Sequence, residues 1–482
     1  MPNGSDKILE YFNMLNKIPR CSGNEAAVRG WLMTWAQRRG YDYRTDASGN
    51  LLIQVPATRT FESAPIVVLQ GHMDMVCEKG PQSTHDFSKD PIVSHREGDW
   101  LKAQDTTLGA DNGIAIAYVM ALAEDDTADH PPLELLFTVD EETGLNGAKG
   151  LSPGFIKGRI LINLDSEDEG VATIGCAGGL DSLLTLDLPT SSVPPTARLY
   201  RLVVGGLKGG HSGVDINKQR GNANKLIGRI LTHMERAAPV RLVSLKGGSR
   251  KNAIPRDAEA LLAIDSSETD DLFSAVDRFV DTLKAEYDAS DSALFVEFAP
   301  QESHPVVQGL TRAATRQALD LLAALPDGVA SMSSTLEGLV ETSSNLATVK
   351  LAGGEISILS SQRSALVSRL EAITTSVHAV GRLCGATVED SDGYPPWQPD
   401  INSALLERAK GVYRRLYDRE LVVEVIHAGL ECAVIGDIYP GSDMISFGPT
   451  IRNPHCPDES LHLPSIEKVW DFLKALLREI RA

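Results

Sequence analysis

Two periods of apolar residues run through this chain, and the points where one gives way to the other carry most of its candidate chemistry. Residues 5 to 40 show helical spacing broken at "IPRCSGNE", which predicts two amphipathic helices, the second opened by Ser22 or Asn24 and closed by Gly40. "NLLIQVPA" then reads as a strand. Ile66, Val67, Val68 and Leu69 follow as a short β-branched run of the length of a buried strand, ending at Gly71. Residues Glu78 to Lys102 form a polar, turn-rich excursion whose His85 and His95 read as solvated. From Gly113 onward Ile114, Ala117, Tyr118, Ala121 and Leu122 recur at helical spacing. "LELLFTVDEETG" and "RILINLDSEDEG" are two further strand-like runs.

Each of these runs empties into polar, metal-competent residues. His72 and Asp74 follow the first, Asp140, Glu141 and Glu142 the second, and Asp165 the third. Asp111 stands at the start of the predicted helix, where a lone aspartate is ordinarily an N-cap. A His-x-Asp after one strand is equally ordinary. In an open α/β sheet, however, ligands bind outside the carboxyl ends of the strands. Solvated charge explains one acidic strand end and explains three plus Asp111 poorly. The pattern therefore points to a metal site, with Asp74 orienting the His72 ring and the two oxygens of Asp111 suited to bridging two cations. His455, in a loop followed by Cys456, Asp458 and Glu459, is a candidate to complete the shell.

The chain changes character after "GCAGG" at 175–179. "PTSSVPPTA" reads as a linker. The strands "RLYRLVVGGL", "AEALLAID" and "NLATVKLAGGEISILSSQRS", with helices after "GGHSG" and over "ALVSRLEAITTSVHAVGRLCG", then predict an α+β domain. A second break, "DGYPPWQPD", leads to the helix "SALLERAKGVYRRLY", the strand "LVVEVI" and a closing helix from Pro464. These breaks divide the chain into 1–180, 181–391 and 392–482, with two domains expected and three segments possible. A length of 482 residues fits more than one core.

Composition narrows the function classes. The net charge of −19, with no basic run, disfavours nucleic acid and anionic membrane surfaces as partners. No stretch has eighteen consecutive apolar residues and the start lacks a signal core, so a cytoplasmic protein is expected. The six cysteines (21, 77, 176, 384, 432 and 456) lack a Cys-x-x-Cys pair and are expected to be reduced thiols.

Taken together, "GHMDMV", "TLGADNGIAIA", "DEETGLNGAKGL", "NLDSEDEG", "GGHSGVDI", "GSRKNAIP", "HAGLEC" and "GPTIRNPHCPDE" resemble the zinc-dependent aminoacylase and carboxypeptidase family of metallopeptidases. The likeness is to its bacterial aminoacyl-histidine dipeptidase branch, and it covers nearly the whole chain. It implies a di-zinc catalytic domain, a mixed sheet flanked by helices, interrupted by an inserted α+β lid domain through which the chain forms a homodimer. It also implies two Zn2+ per subunit, with Mn2+ or Co2+ as substitutes. His72 and Asp165 would hold one zinc, Glu142 and His455 the other, and Asp111 would bridge them, with Asp74 orienting His72. Glu141 would be the general base, which suits a carboxylate beside an activated water. His211, otherwise readable as a helix-entry histidine, would stabilise the oxyanion from the partner subunit. Asn252 and Arg363 would hold the substrate's backbone and terminal carboxylate, the latter through the arginine fork. Gly429 would offer backbone to the substrate.

The chain departs from that pattern at Cys456, where relatives carry Ser, and at Ala433, where they carry Gly. Neither touches an implied ligand, so altered substrate preference is expected rather than lost activity. The implied reaction is hydrolysis of unblocked L-dipeptides, including Xaa-His. The rivals are an N-acyl amino acid deacylase on the same scaffold and a non-catalytic binding relative. The presence of the whole ligand set and the base weighs against the second rival.

Overall fold

The computed structural model describes residues 4–265, 269–301, 307–334 and 336–481. The chain divides into two compact units, one formed by residues 1–176, 397–425 and 430–482, the other by 177–396 and 426–429. Among the described residues no helix is long and apolar enough to cross a membrane.

The first unit is built on an eight-stranded mixed sheet. Its strands are β1 (Asp42–Thr45), β2 (Leu51–Val55), β3 (Val67–His72), β4 (Leu133–Thr138), β5 (Ile160–Asn163), β6 (Val171–Cys176), β7 (Val422–Ile426) and β8 (Asp443–Ser446), in the order β1-β2-β4-β3-β5-β8-β6-β7. β3 runs parallel to β4 and β5, and β8 runs parallel to β5. Every residue of β3 and β4 is buried, as expected of parallel strands covered on both faces.

The helices are α1 (Gly4–Leu15), α2 (Ala26–Arg39), α3 (Ala110–Ala123), α4 (Ala404–Tyr417), α5 (Glu431–Ile438) and α6 (Leu463–Glu479). α3 is apolar almost all round because β3 lies on one side and α1 on another. Its approach to β3 is close. A Cβ on Gly71 would stand 2.4 Å from Asn112 Oδ1 and 2.6 Å from Ala115 Cβ. Only glycine fits there.

Three expectations change. β3 extends through His72, so the histidine closes the strand rather than following it. Asp111 is not an N-cap. It lies inside the first turn of α3 with non-helical φ −81° and ψ 109°, joined to Asn112 by a cis peptide bond. The excursion after Glu78 contains a hairpin, Ser94–Glu97 with Trp100–Ala103, turning at Gly98 and Asp99 and pairing on to Ser460–His462. Its sign was the alternation in "WLKA", where Leu101 and Ala103 point inward.

The thiol expectation is also corrected. Cys21 and Cys77 form a disulfide with Cα atoms 5.7 Å apart, while Cys176, Cys384, Cys432 and Cys456 take no part in a disulfide. The pair escapes sequence reading because 56 residues separate its members. The fold joins them by laying Cys21 alongside Met75 in an isolated parallel bridge.

The second unit is α+β. Its nine-stranded sheet runs in the order 295–301, 197–205, 258–265, 240–247, 340–352, 355–364, 178–187 and 387–390, with 328–332 also pairing to 340–352. The helices Ala223–Ala237, Thr269–Tyr287, Arg312–Ala324 and Val367–Cys384 share one apolar cluster with it. The first of these is capped by Asn222, whose side chain accepts from the N–H groups of Asn224 and Lys225.

Candidate metal centre

The parallel register of β3, β4 and β5 brings three strand ends to one rim. His72 pairs with Thr138, and Gln70 with Asn163, so the residues just beyond β4 and β5 emerge beside the imidazole. Asp111 reaches the same place from α3. Its Oδ1 lies 3.1 Å from His72 Nε2, and its Oδ2 lies 3.0 Å from His455 Nε2. Asp165 Oδ1 is 3.5 Å from the same His72 nitrogen, and Glu142 Oε2 is 3.0 Å from His455 Nε2. Ligand-type atoms of His72, Asp111 and Asp165 lie within 4.8 Å of one another, as do those of Asp111, Glu142 and His455. Asp111 belongs to both sets. His72, Glu141 and Glu142 form a further set.

The supports of this cluster are buried. Asp74, fully enclosed, accepts from Ser22 Oγ at 2.8 Å and from the backbone N–H groups of Glu141 and Glu142, and faces His72 Nδ1 at 3.2 Å. Burial pushes its carboxyl up, but the hydrogen bonds from His72 and Ser22 outweigh that and hold it at about 2. An ionised Asp74 on Nδ1 leaves Nε2 of His72 directed at Asp111 and Asp165.

Around it the carboxyls are driven apart. Burial, reinforced by Glu142, Asp165 and Glu431 and opposed by His72, raises Glu141 well above the carboxylate range. Burial and Asp111 raise Glu142, and burial against the pull of His72 sets Asp165 at about 6. Burial alone would push Asp111 up too, but hydrogen bonds from His455 and His72 leave it well below the usual range. Both histidines keep their protons despite burial, because these carboxylates surround them; His455 is raised to about 11.

Two imidazoles and four carboxylates are nitrogen and oxygen donors of the kind divalent cations such as zinc accept. Glu142 Oε1 is buried without a hydrogen-bond partner, an orphan that a cation would satisfy. The residues present fit a pair of metal ions.

Sequence reasoning missed the layer beneath. Glu431, fully buried at the start of α5, accepts from Gln70 Nε2 at 2.6 Å and from Thr138 Oγ1 at 2.7 Å. Burial raises its carboxyl to about 7. Gln70 in turn accepts from Asn163 Nδ2 at 2.5 Å. The available signal was polar residues in otherwise apolar strands, Gln70 in "VVLQGH" and Asn163 in "ILIN".

His211, Asn252, Arg363 and Gly429 belong to the second unit. His211 pairs with Ala253 across a two-stranded ladder, next to Asn252, whose carbonyl accepts from Ser212 N–H. The His211 Nδ1 accepts from the N–H groups of Gly213 and Val214 at 3.2 and 3.1 Å, so its proton sits on Nε2. Arg363 is buried and donates from Nη1 to the Tyr394 hydroxyl at 2.7 Å. A Cβ on Gly429 would meet the Tyr394 ring at 2.8 Å. His427, paired with Ser343 Oγ at 2.7 Å, is lowered to about 3 by burial and by the charge of Arg363.

Comparison with known proteins matches this architecture. Residues 68–479 fit the family model of peptidase family M20/M25/M40. The chain is 39% identical over 476 residues to the cytosol non-specific dipeptidase of Escherichia coli K12, covering 98% of this chain and 97% of that one. It superposes on the crystal structure of aminoacylhistidine dipeptidase from Vibrio alginolyticus with a TM-score of 0.87 and 39% identity, covering 98% and 96% of the two chains. An aminopeptidase from Bacillus cereus shares the fold at a TM-score of 0.58 and 15% identity, over 99% and 98% of the chains. With the family match running from β3, which ends in His72, to the last turn of α6, the chain belongs to peptidase family M20/M25/M40.

Proposed function

We propose that this protein is a di-zinc dipeptidase that hydrolyses unblocked L-dipeptides, Xaa-His substrates among them. The observation that carries the reading is the sharing of Asp111 between two sets of ligand atoms, one with His72 and Asp165, the other with Glu142 and His455. Those sets would hold one Zn2+ each, with Asp111 common to both, and Asp74 fixes the ring of His72. Similarity along 98% of the chain to a protein named as a dipeptidase supports the substrate class and a cytoplasmic setting.

Bound zinc supplies Lewis acidity to the scissile carbonyl and lowers the pKa of the attacking water. The chain's own residues do the rest. Glu141, whose carboxylate lies with His72 and Glu142, takes the proton from water and returns it to the leaving amine. His211, with Nδ1 engaged by backbone N–H groups, offers Nε2–H to the oxyanion, reaching across from the partner subunit of a homodimer. Arg363 binds the terminal carboxylate through its fork. Asn252 and Gly429 hold the substrate backbone. Cys456 beside His455, and Ala433 in α5, tune which dipeptides are preferred.

The test is hydrolysis by purified protein stripped of metal and reloaded with zinc, beside Glu141→Gln. Wild type should cleave dipeptides when reloaded. The variant should bind two zincs and lose about 10²–10⁴-fold in kcat. Cleavage confined to N-acetyl amino acids would replace the dipeptidase by a deacylase, and absence of turnover with two metals bound would replace it by a binding protein. Reloading with manganese or cobalt separates the metals.

A further inference from the structure

We propose that Arg20 and Glu459 are positioning residues that clamp the loop carrying Asp111 from opposite sides and preset the spacing of the metal pair. The inference rests on the reading of Asp111 as a bridging ligand. The segment spans residues 108–111, running into the first turn of α3, and while the Gly109 carbonyl accepts from Gly113 N–H at 3.2 Å, the segment's N–H groups turn to a side chain. All four of its N–H groups donate to one side chain. Glu459 Oε2 accepts from Leu108 and Gly109 at 2.7 and 2.9 Å, and its Oε1 from Ala110 and Asp111 at 2.7 and 3.2 Å. Glu459 is itself 2% exposed, so no water competes for those bonds.

From the other side comes the guanidinium of Arg20, 1% exposed. It donates from Nη2 to the Gly109 carbonyl at 2.5 Å, and from Nη1 to the carbonyls of Asp74 and Met73 at 3.0 and 3.3 Å. One planar fork thus ties the Asp111 loop to the loop that bears Asp74 and follows His72. Arg20 answers with its own carbonyl, which accepts from Met75 N–H at 3.1 Å. The glycines leave room for it: a Cβ on Gly109 or Gly113 would stand 2.4 or 2.5 Å from Arg20 Nη2. Glu459 lies four positions beyond His455. Three segments that carry candidate ligands are therefore joined through two side chains that themselves hold no metal.

Burying an opposite pair of charges merely to stabilise a fold is a poor device, since apolar residues do as well. Holding carboxylate and imidazole positions to a fraction of an ångström is a task that fixed charged forks perform well.

Two arms test the clamp. In the metal-free, full-length wild type, hydrogen exchange should show the amides of 108–111 protected, because their acceptor is Glu459 and not a metal ligand. Exchange at open-loop rates would overturn the proposal.

The second arm uses Arg20→Lys and Glu459→Gln loaded with Co2+. Each should melt cooperatively yet show an altered visible spectrum and release of cobalt to a chelator faster by about 10–100-fold. In the same variants kcat should fall by a similar factor while KM stays near wild type. A cooperatively melting variant with wild-type spectrum and release would overturn the proposal, because a purely structural role moves only the melt. Should neither variant melt cooperatively, the exchange arm decides alone. Wild type that binds cobalt but cleaves no dipeptide refutes the proposed reaction and leaves the exchange, spectral and cobalt-release readouts to decide the clamp.

Discussion

At the scale of single residues, the metal-free cluster balances its carboxylates with protons. His72 and His455 lie among Asp74, Asp111, Asp165 and Glu142 at 3.0–3.5 Å, so each imidazole holds a proton well above its ordinary pKa despite burial. A metal ligand must be the neutral imidazole, so cations displace those protons. The sign follows directly. At pH 7, below the value of about 11 for His455, the metal-free site is protonated, and lowering the pH adds protons to Asp165 as well, near 6. Binding of two zinc ions at pH 7 should therefore release about two protons, and apparent affinity should rise with pH. Calorimetry in buffers of differing ionisation enthalpy measures both quantities. Binding without proton release would mean that the imidazoles are already neutral.

The element scale is where legibility divides. His72, Glu141, Glu142 and Asp165 could be found in sequence because strands end abruptly, and an apolar run followed by acidic residues marks its own carboxyl end. Asp111 was visible as a helix-start aspartate suited to bridging two cations, but the departure of its backbone from helical geometry was not. Residues that act from far along the chain left no local sign. Glu431 meets Gln70 across 361 positions, and Glu459 meets Leu108 across 351. Such contacts are products of the sheet order, which sequence periodicity does not encode.

Gly71 belongs to this scale too, since it sets how closely α3 approaches β3. A methyl there would press Asn112 Oδ1, which also accepts from His72 N–H at 3.3 Å, and Ala115 Cβ, which has no torsion by which to yield. Gly71→Ala should cost about 1–3 kcal/mol in denaturant unfolding, and should weaken metal binding through His72 in the same protein. An unchanged midpoint would show that α3 slides freely.

On the scale of the whole molecule, the chain's two units divide the proposed chemistry. Glu141 and the ligand sets are in the first unit, while His211, Asn252, Arg363 and Gly429 are in the second. Sequence breaks at "GCAGG" and "DGYPPWQPD" foreshadow two units, but not that residues 426–429 join the inserted one, because a four-residue loop carries no compositional signature. If His211 serves the partner's active site, two defects on different chains must complement. Co-expressed Glu141→Gln and His211→Ala chains form mixed dimers in which one site combines an intact Glu141 with the partner's intact His211. The other site in the same dimer lacks both. With random pairing, half of the dimers are mixed and half of their sites are whole, so about a quarter of wild-type activity should return although each parent is inactive. The recovered activity should vanish when the tagged chains are separated under denaturing conditions and refolded alone. Activity no greater than the sum of the parents, in a preparation shown by affinity tags to contain mixed dimers, would place His211 in service of its own chain and remove the requirement for a dimer from the mechanism.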